Sequence, residues 1–71
     1  MSKRLGRVIA CYLREARLSQ GLTQEDLAAA AGVGRTNVTN YESGGTLPSL
    51  EAALIIAEVL GRRVEHLWSL E

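Results

Sequence analysis

Covalent and metal chemistry has little to work with in this chain of 71 residues. The single histidine, His66, stands beside Glu65 but has no companions at metal-ligand spacing, so it reads as a solvated side chain. The single cysteine, Cys11, cannot form an internal disulfide. Neither a helix N-terminus nor a histidine lies close to it in sequence, and its flanking arginines would lower its pKa only slightly. A free, unreactive thiol is the expectation. The chain carries no paired-carboxylate motif, no phosphate-cradling glycine loop and no metal cluster, which points away from an enzyme and from any cofactor or small-molecule ligand. What remains is hydrogen-bonding chemistry: Gln24, Arg35, Thr36, Asn37, Thr39, Asn40 and Ser43 fall within one twenty-residue stretch. Taken alone, such side chains describe an ordinary solvated helix face.

The elements that must position these groups belong to one domain, spanning residues 1–71, since the chain is too short for two. A domain this small buries only about 60% of the surface its unfolded chain exposes, so a partner subunit would add usefully to its stability. With one proline and no phenylalanine, Leu, Ala, Ile and Val must build the core. Net charge is zero, which sits awkwardly with a polyanionic partner. The distribution is polarised. Lys3, Arg4, Arg7, Arg14 and Arg17 face only Glu15 in residues 1–20, whereas acidic residues outnumber basic ones in both 21–48 and 49–71. No apolar run is long enough to span a bilayer, and the N-terminus lacks the apolar region of a signal peptide. With one unpaired cysteine, a cytoplasmic location is expected.

Hydrophobic spacing predicts helices throughout and no strand. Leu5, Val8, Ile9, Tyr12, Leu13 and Ala16 form one stripe of a first helix over 5–20, ended by Gly21. Thr23 is the expected N-cap of a second helix, with Asp26 completing a capping box and Gly32 closing it. A third helix covers about 35–43 from a Gly34 cap, with Val38 and Tyr41 inward and Gly44-Gly45 as its stop. Ser49 caps a fourth through Leu60, with Leu50, Leu54, Ala57 and Leu60 as the expected core stripe. A last turn or two covers Val64 to Leu70. The expected class is all-α.

Two short helices joined by a tight glycine turn, at about 23–43, are the geometric signature of helix-turn-helix. The run Gly21-Leu22-Thr23-Gln24-Glu25-Asp26-Leu27-Ala28, then Ala31-Gly32-Val33, Val38 to Glu42, Gly44 and Pro48-Ser49-Leu50-Glu51, resembles the lambda-repressor-like family of XRE type over nearly the whole chain. The resemblance implies a compact five-helix bundle, a DNA-binding domain whose third helix lies in the major groove of double-stranded DNA, and which binds its operator as a dimer. It places base contacts at Arg35, Thr36 and Asn40, with Thr39 at the edge. The chemistry fits, because arginine pairs bidentately with guanine, asparagine with adenine, and a threonine methyl can touch that of thymine. It further implies phosphate contacts from Gln24, Asn37 and Ser43, and a structural salt bridge between Arg17 and Glu42. The sequence departs from the family at Gly34, where a polar cap is common. It departs again at Gly45, Thr46 and Leu47, where basic residues are frequent, and at Arg63, where serine often caps the last helix. Fewer basic residues near DNA imply weaker binding or stronger reliance on dimerisation.

Ile55, Ile56, Val59 and Trp68 widen the apolar surface beyond one core face. They read either as core alone or as a homodimer interface, and the small volume of the chain favours the interface. The leading expectation is a sequence-specific transcriptional regulator of phage-repressor, restriction–modification-controller or antitoxin-like kind. The alternative, supported by the zero net charge, is a protein–protein interaction module on the same bundle, with a protein partner in place of DNA.

Overall fold

The structure, a computed structural model, describes residues 9–71. In chain order these form β1 (Ile9–Cys11), α1 (Leu13–Ser19), α2 (Gln24–Ala31), α3 (Arg35–Ser43), α4 (Leu50–Leu60), α5 (Val64–Leu67) and β2 (Trp68–Leu70). The chain is mostly helical but not all-α, because β1 and β2 pair as a two-stranded antiparallel sheet.

That sheet corrects both ends of the sequence reading. Within the described residues, Ile9–Cys11 of the expected first helix are a strand and α1 begins at Leu13, while the last helix ends at Leu67, where the chain turns extended. Leu5 and Val8 of the expected first stripe lie outside the described residues. The cause is local preference joined to a distant partner. Ile9 is β-branched, and Trp68 and its neighbours supply a second extended edge. Ile9 pairs with Leu70, Ala10 with Ser69 and Cys11 with Trp68, and the Tyr12 N–H continues the contact by donating to the Leu67 carbonyl at 2.8 Å. Cys11 and its cross-strand partner Trp68 lie side by side and pack partly buried against the core, while Ile9, two residues along the same face, and Tyr12, just past the strand, are exposed. Burial raises the Cys11 thiol pKa, overriding the slight lowering expected from nearby arginines, so at neutral pH it is a protonated thiol.

The helix-turn-helix follows its written caps. The Thr23 hydroxyl accepts from the Asp26 N–H, and the Asp26 carboxylate accepts from the Thr23 N–H, both at 3.0 Å. Gly32 then reverses the chain at φ +70°, a left-handed conformation in which a side chain would be strained. Gly34 caps α3 without a side-chain hydrogen bond. Leu27, Ala28 and Ala31 of α2 meet Val38 and Tyr41 of α3 in the core, and the alanines let the helices cross closely.

Ser49 caps α4 by accepting from the Ala52 N–H at 3.1 Å. Its buried stripe is Ala53, Ile56, Ala57 and Leu60. Ala57 and Leu60 match the sequence reading. Leu50 and Leu54 do not, being 74% and 53% exposed. Ile56, read as interface, is completely buried among Leu13, Leu27, Leu60 and Leu67 and offers no atom to a partner. Residues 50–60 are apolar on almost every side, so several stripes satisfy a 3.6-residue period, and packing selects one. No helix among the described residues is long and apolar enough to cross a membrane.

Candidate nucleic-acid interface

The core contacts of Val38 and Tyr41 fix the rotation of α3 about its axis. At 100° per residue, Thr36, Asn40 and Ser43 then fall on the opposite, outward side, with Thr39 beside them. Arg35 opens the helix at one flank and Asn37 lies on the other. All are exposed except Asn40, which is half-buried. The Arg35 guanidinium rests 3.6 Å from the Glu25 carboxylate of α2, with both side chains largely in solvent. Such a pair is weak and releases its arginine readily.

Behind this face runs a hydrogen-bonded chain from α1 through α3 to α2. Arg17 Nε donates to Glu42 Oε2 at 2.6 Å, Nη2 to Glu42 Oε1 at 3.1 Å, and Nη1 to the Leu22 carbonyl at 2.6 Å. Gln24 Nε2 donates to Glu42 Oε1 at 3.1 Å, and Gln24 Oε1 accepts from the Thr39 hydroxyl at 2.9 Å. The Thr39 hydroxyl also lies 3.2 Å from the Arg35 carbonyl, so its one hydrogen is already shared within the protein. Thr39 therefore has only its methyl group and a lone pair left for an outside partner. The Arg17 and Glu42 side chains are only 8% and 6% exposed. Burial pushes the Glu42 carboxyl up, but hydrogen bonds from Arg17 and Gln24 outweigh it and hold the group below the usual carboxylate range. The Gln24 amide is held at both ends, and its second N–H is left without a partner among the described residues.

Gln24, Thr39 and Ser43 thus line one cavity of about 280 Å³ between α1, α2 and α3. Arg35, Thr36 and Asn40 lie along the outer side of α3, and Asn37 sits apart from the cavity. The same cavity is lined by Arg14, which the residue-by-residue reading passed over. Its signal was present in the i, i+3 spacing to Arg17, which puts both on one side of α1.

A family profile described as helix-turn-helix matches residues 13–67, from the start of α1 to the end of α5. The chain belongs to the lambda-repressor-like, XRE-type helix-turn-helix family. An uncharacterised HTH-type transcriptional regulator of Archaeoglobus fulgidus is 43% identical over 79% of this chain and 80% of its own. One of Methanothermobacter thermautotrophicus is 47% identical over 78% and 77%. Among solved structures, the restriction–modification controller protein C.AhdI of Aeromonas hydrophila is 38% identical. It superposes with a TM-score of 0.71 over 75% of this chain and 80% of that one. The SinR/SinI complex, at 24% identity, shares the fold with a TM-score of 0.72, over 76% of this chain and 53% of that one. In this helix-turn-helix protein, α2 and α3 are the two helices of the motif, and α3 holds the position of the recognition helix.

Proposed function

We propose that the protein is a transcriptional regulator that binds a pseudo-palindromic operator as a two-fold dimer, with α3 of each copy in the major groove of one half-site. The observation that carries this reading is the outward row Thr36, Asn40 and Ser43 with Arg35 at its head, held in register by the Gln24–Glu42–Arg17 chain. Arg35 and Asn40 read base edges, and Gln24 and Ser43 hold phosphates. Asn37 reaches the backbone from the other flank. The half-sites lie about one helical turn apart. Likeness to a restriction–modification controller protein supports a regulatory role on DNA.

Selection of binding sites from random duplex DNA at low salt tests the reading, and recovery of a short inverted repeat is the expected result. The Arg35→Ala variant should then lose discrimination at one base position of each half-site, by about 1–3 kcal/mol. An unchanged base preference removes Arg35 from the reading set. If the folded protein recovers no sequence at all, the protein-interaction reading replaces this one.

The dimer needs an apolar surface, and with Ile56 in the core that surface moves. Ile55 and Val59 lie on one flank of α4. The larger exposed patch lies on the other flank, around a groove lined by Ile9, Leu47, Pro48, Leu50, Ala53, Val64 and Trp68. Ile9, Leu47, Leu50, Leu54 and the cross-strand neighbour Leu70 are all exposed. Together they present on the order of 500 Å² per copy, approaching the about 800 Å² of a standard interface. Among the described residues no charged side chain lines the groove, and a second copy meets these apolar side chains across a two-fold axis. The Leu50→Glu variant should remain folded, become monomeric in sedimentation, and lose operator affinity by at least about tenfold. A variant that still sediments as a dimer places the interface elsewhere.

A further inference from the structure

Two arginines line the cavity beside α3, and only one has charge to spare. Arg17 is committed, because Glu42 takes two of its nitrogens and the Leu22 carbonyl a third. The Arg17–Glu42 pair is therefore close to neutral as seen from outside. Arg14 stands one turn earlier on the same side of α1, with its side chain exposed. Among the described residues, no carboxylate lies within ion-pairing distance of it. Across the cavity, Gln24 Nε2 spends one hydrogen on Glu42 and keeps the other. Thr39 and Ser43 close the remaining wall.

From this geometry we infer that Arg14 is a further phosphate-binding residue, which joins Gln24 in gripping one DNA phosphate on the α1 side of the recognition helix. A planar guanidinium matches two phosphate oxygens, and the Gln24 amide supplies a neutral donor beside it. The site also accounts for how a chain of zero net charge meets a polyanion. The acid that lines the cavity, Glu42, is matched internally by Arg17, which leaves Arg14 as a local excess of positive charge there. The inference rests on the operator-binding reading of α3.

The test compares the full-length protein with its Arg14→Gln variant on the selected duplex and on a random duplex, over a range of salt. Affinity should fall about tenfold on both, since a charge-assisted contact is lost. The slope of log affinity against log salt should flatten by about 0.9 per subunit, the signature of one released phosphate contact. Base preference and thermal midpoint should stay put, and Arg14→Lys should restore most of the slope. Arg63→Gln removes the same charge from a residue paired with Glu65 at the start of α5, and should leave the slope unchanged. An unaltered slope in Arg14→Gln overturns the site. A loss confined to the selected duplex also overturns it, because that marks a base contact. An equal flattening in Arg63→Gln reduces the effect to net charge and overturns it as well. If the unmodified protein binds no duplex, the operator reading falls first and this site falls with it.

Discussion

Arg17→Ala should lower the unfolding free energy by about 3–5 kcal/mol, because it leaves the Glu42 carboxylate buried without its partner. Glu42 is 6% exposed at its side chain and receives two bonds from Arg17, against one from Gln24. A domain of this length has a total stability of only about 4–10 kcal/mol. Urea unfolding followed by circular dichroism should therefore show Arg17→Ala with about half of the parent's stability lost and its midpoint lowered in proportion. The paired change Arg17→Met with Glu42→Leu should recover most of the loss, since an apolar pair of similar volume avoids desolvating two charges. It should fall somewhat short of full recovery, because the Leu22 carbonyl also loses its donor. A paired variant no better than Arg17→Ala would mean that the geometry of the bridge, and not the stranded charge, sets the stability. The same bridge fixes an acid limb. The Glu42 carboxyl titrates lower folded than unfolded, so its contribution is present above the unfolded value of about 4.3 and disappears as pH falls through the folded value. The unmodified protein should lose stability below pH about 4 more steeply than the paired variant.

Ile56→Ala should cost about 2–5 kcal/mol, while Ile55→Ala, one residue away, should cost under about 1 kcal/mol. Ile56 has no exposed surface, and Leu13, Leu27, Leu60 and Leu67 are fully or almost fully buried around it. Deleting most of its side chain opens a cavity at the point where α4 meets the helix-turn-helix. Ile55 is 38% exposed and gives up far less contact. Chemical unfolding of the two variants decides the matter, with sedimentation to separate stability from self-association. If Ile56→Ala stays within 1 kcal/mol of the parent and instead weakens self-association, the packing of α4 described here is wrong.

The helix-turn-helix was legible because its information is local. Thr23 with Asp26, Gly32 and Gly44 are caps and turns whose geometry depends on residues within four positions, and each stands where the structure has it. The inward Val38 and Tyr41 follow from them, and with those two the rotation of α3 and the outward side of Arg35, Thr36 and Asn40. The family resemblance supplied roles for these positions that spacing alone does not carry. The errors fell where local signals were silent or degenerate. Residues 9–11 carry apolar spacing compatible with a helix, and their strand exists because residues 68–70, far away in sequence, offer an edge. In α4, Leu50, Leu54, Ala57 and Leu60 make as good a stripe on paper as Ala53, Ile56, Ala57 and Leu60.

The sequence by itself determined the number of helices, their caps, the family and the side of α3 that faces outward, because short-range hydrogen bonds and backbone conformation decide all of these within a few residues. Tertiary structure alone decided the sheet between the two ends, the burial of Ile56, the exposure of Leu50 and Leu54, and the cavity that joins Arg14 to Gln24. Each of these depends on segments from different parts of the chain sharing one volume. Close packing admits only one of the faces that an apolar sequence offers, and the others are left at the surface.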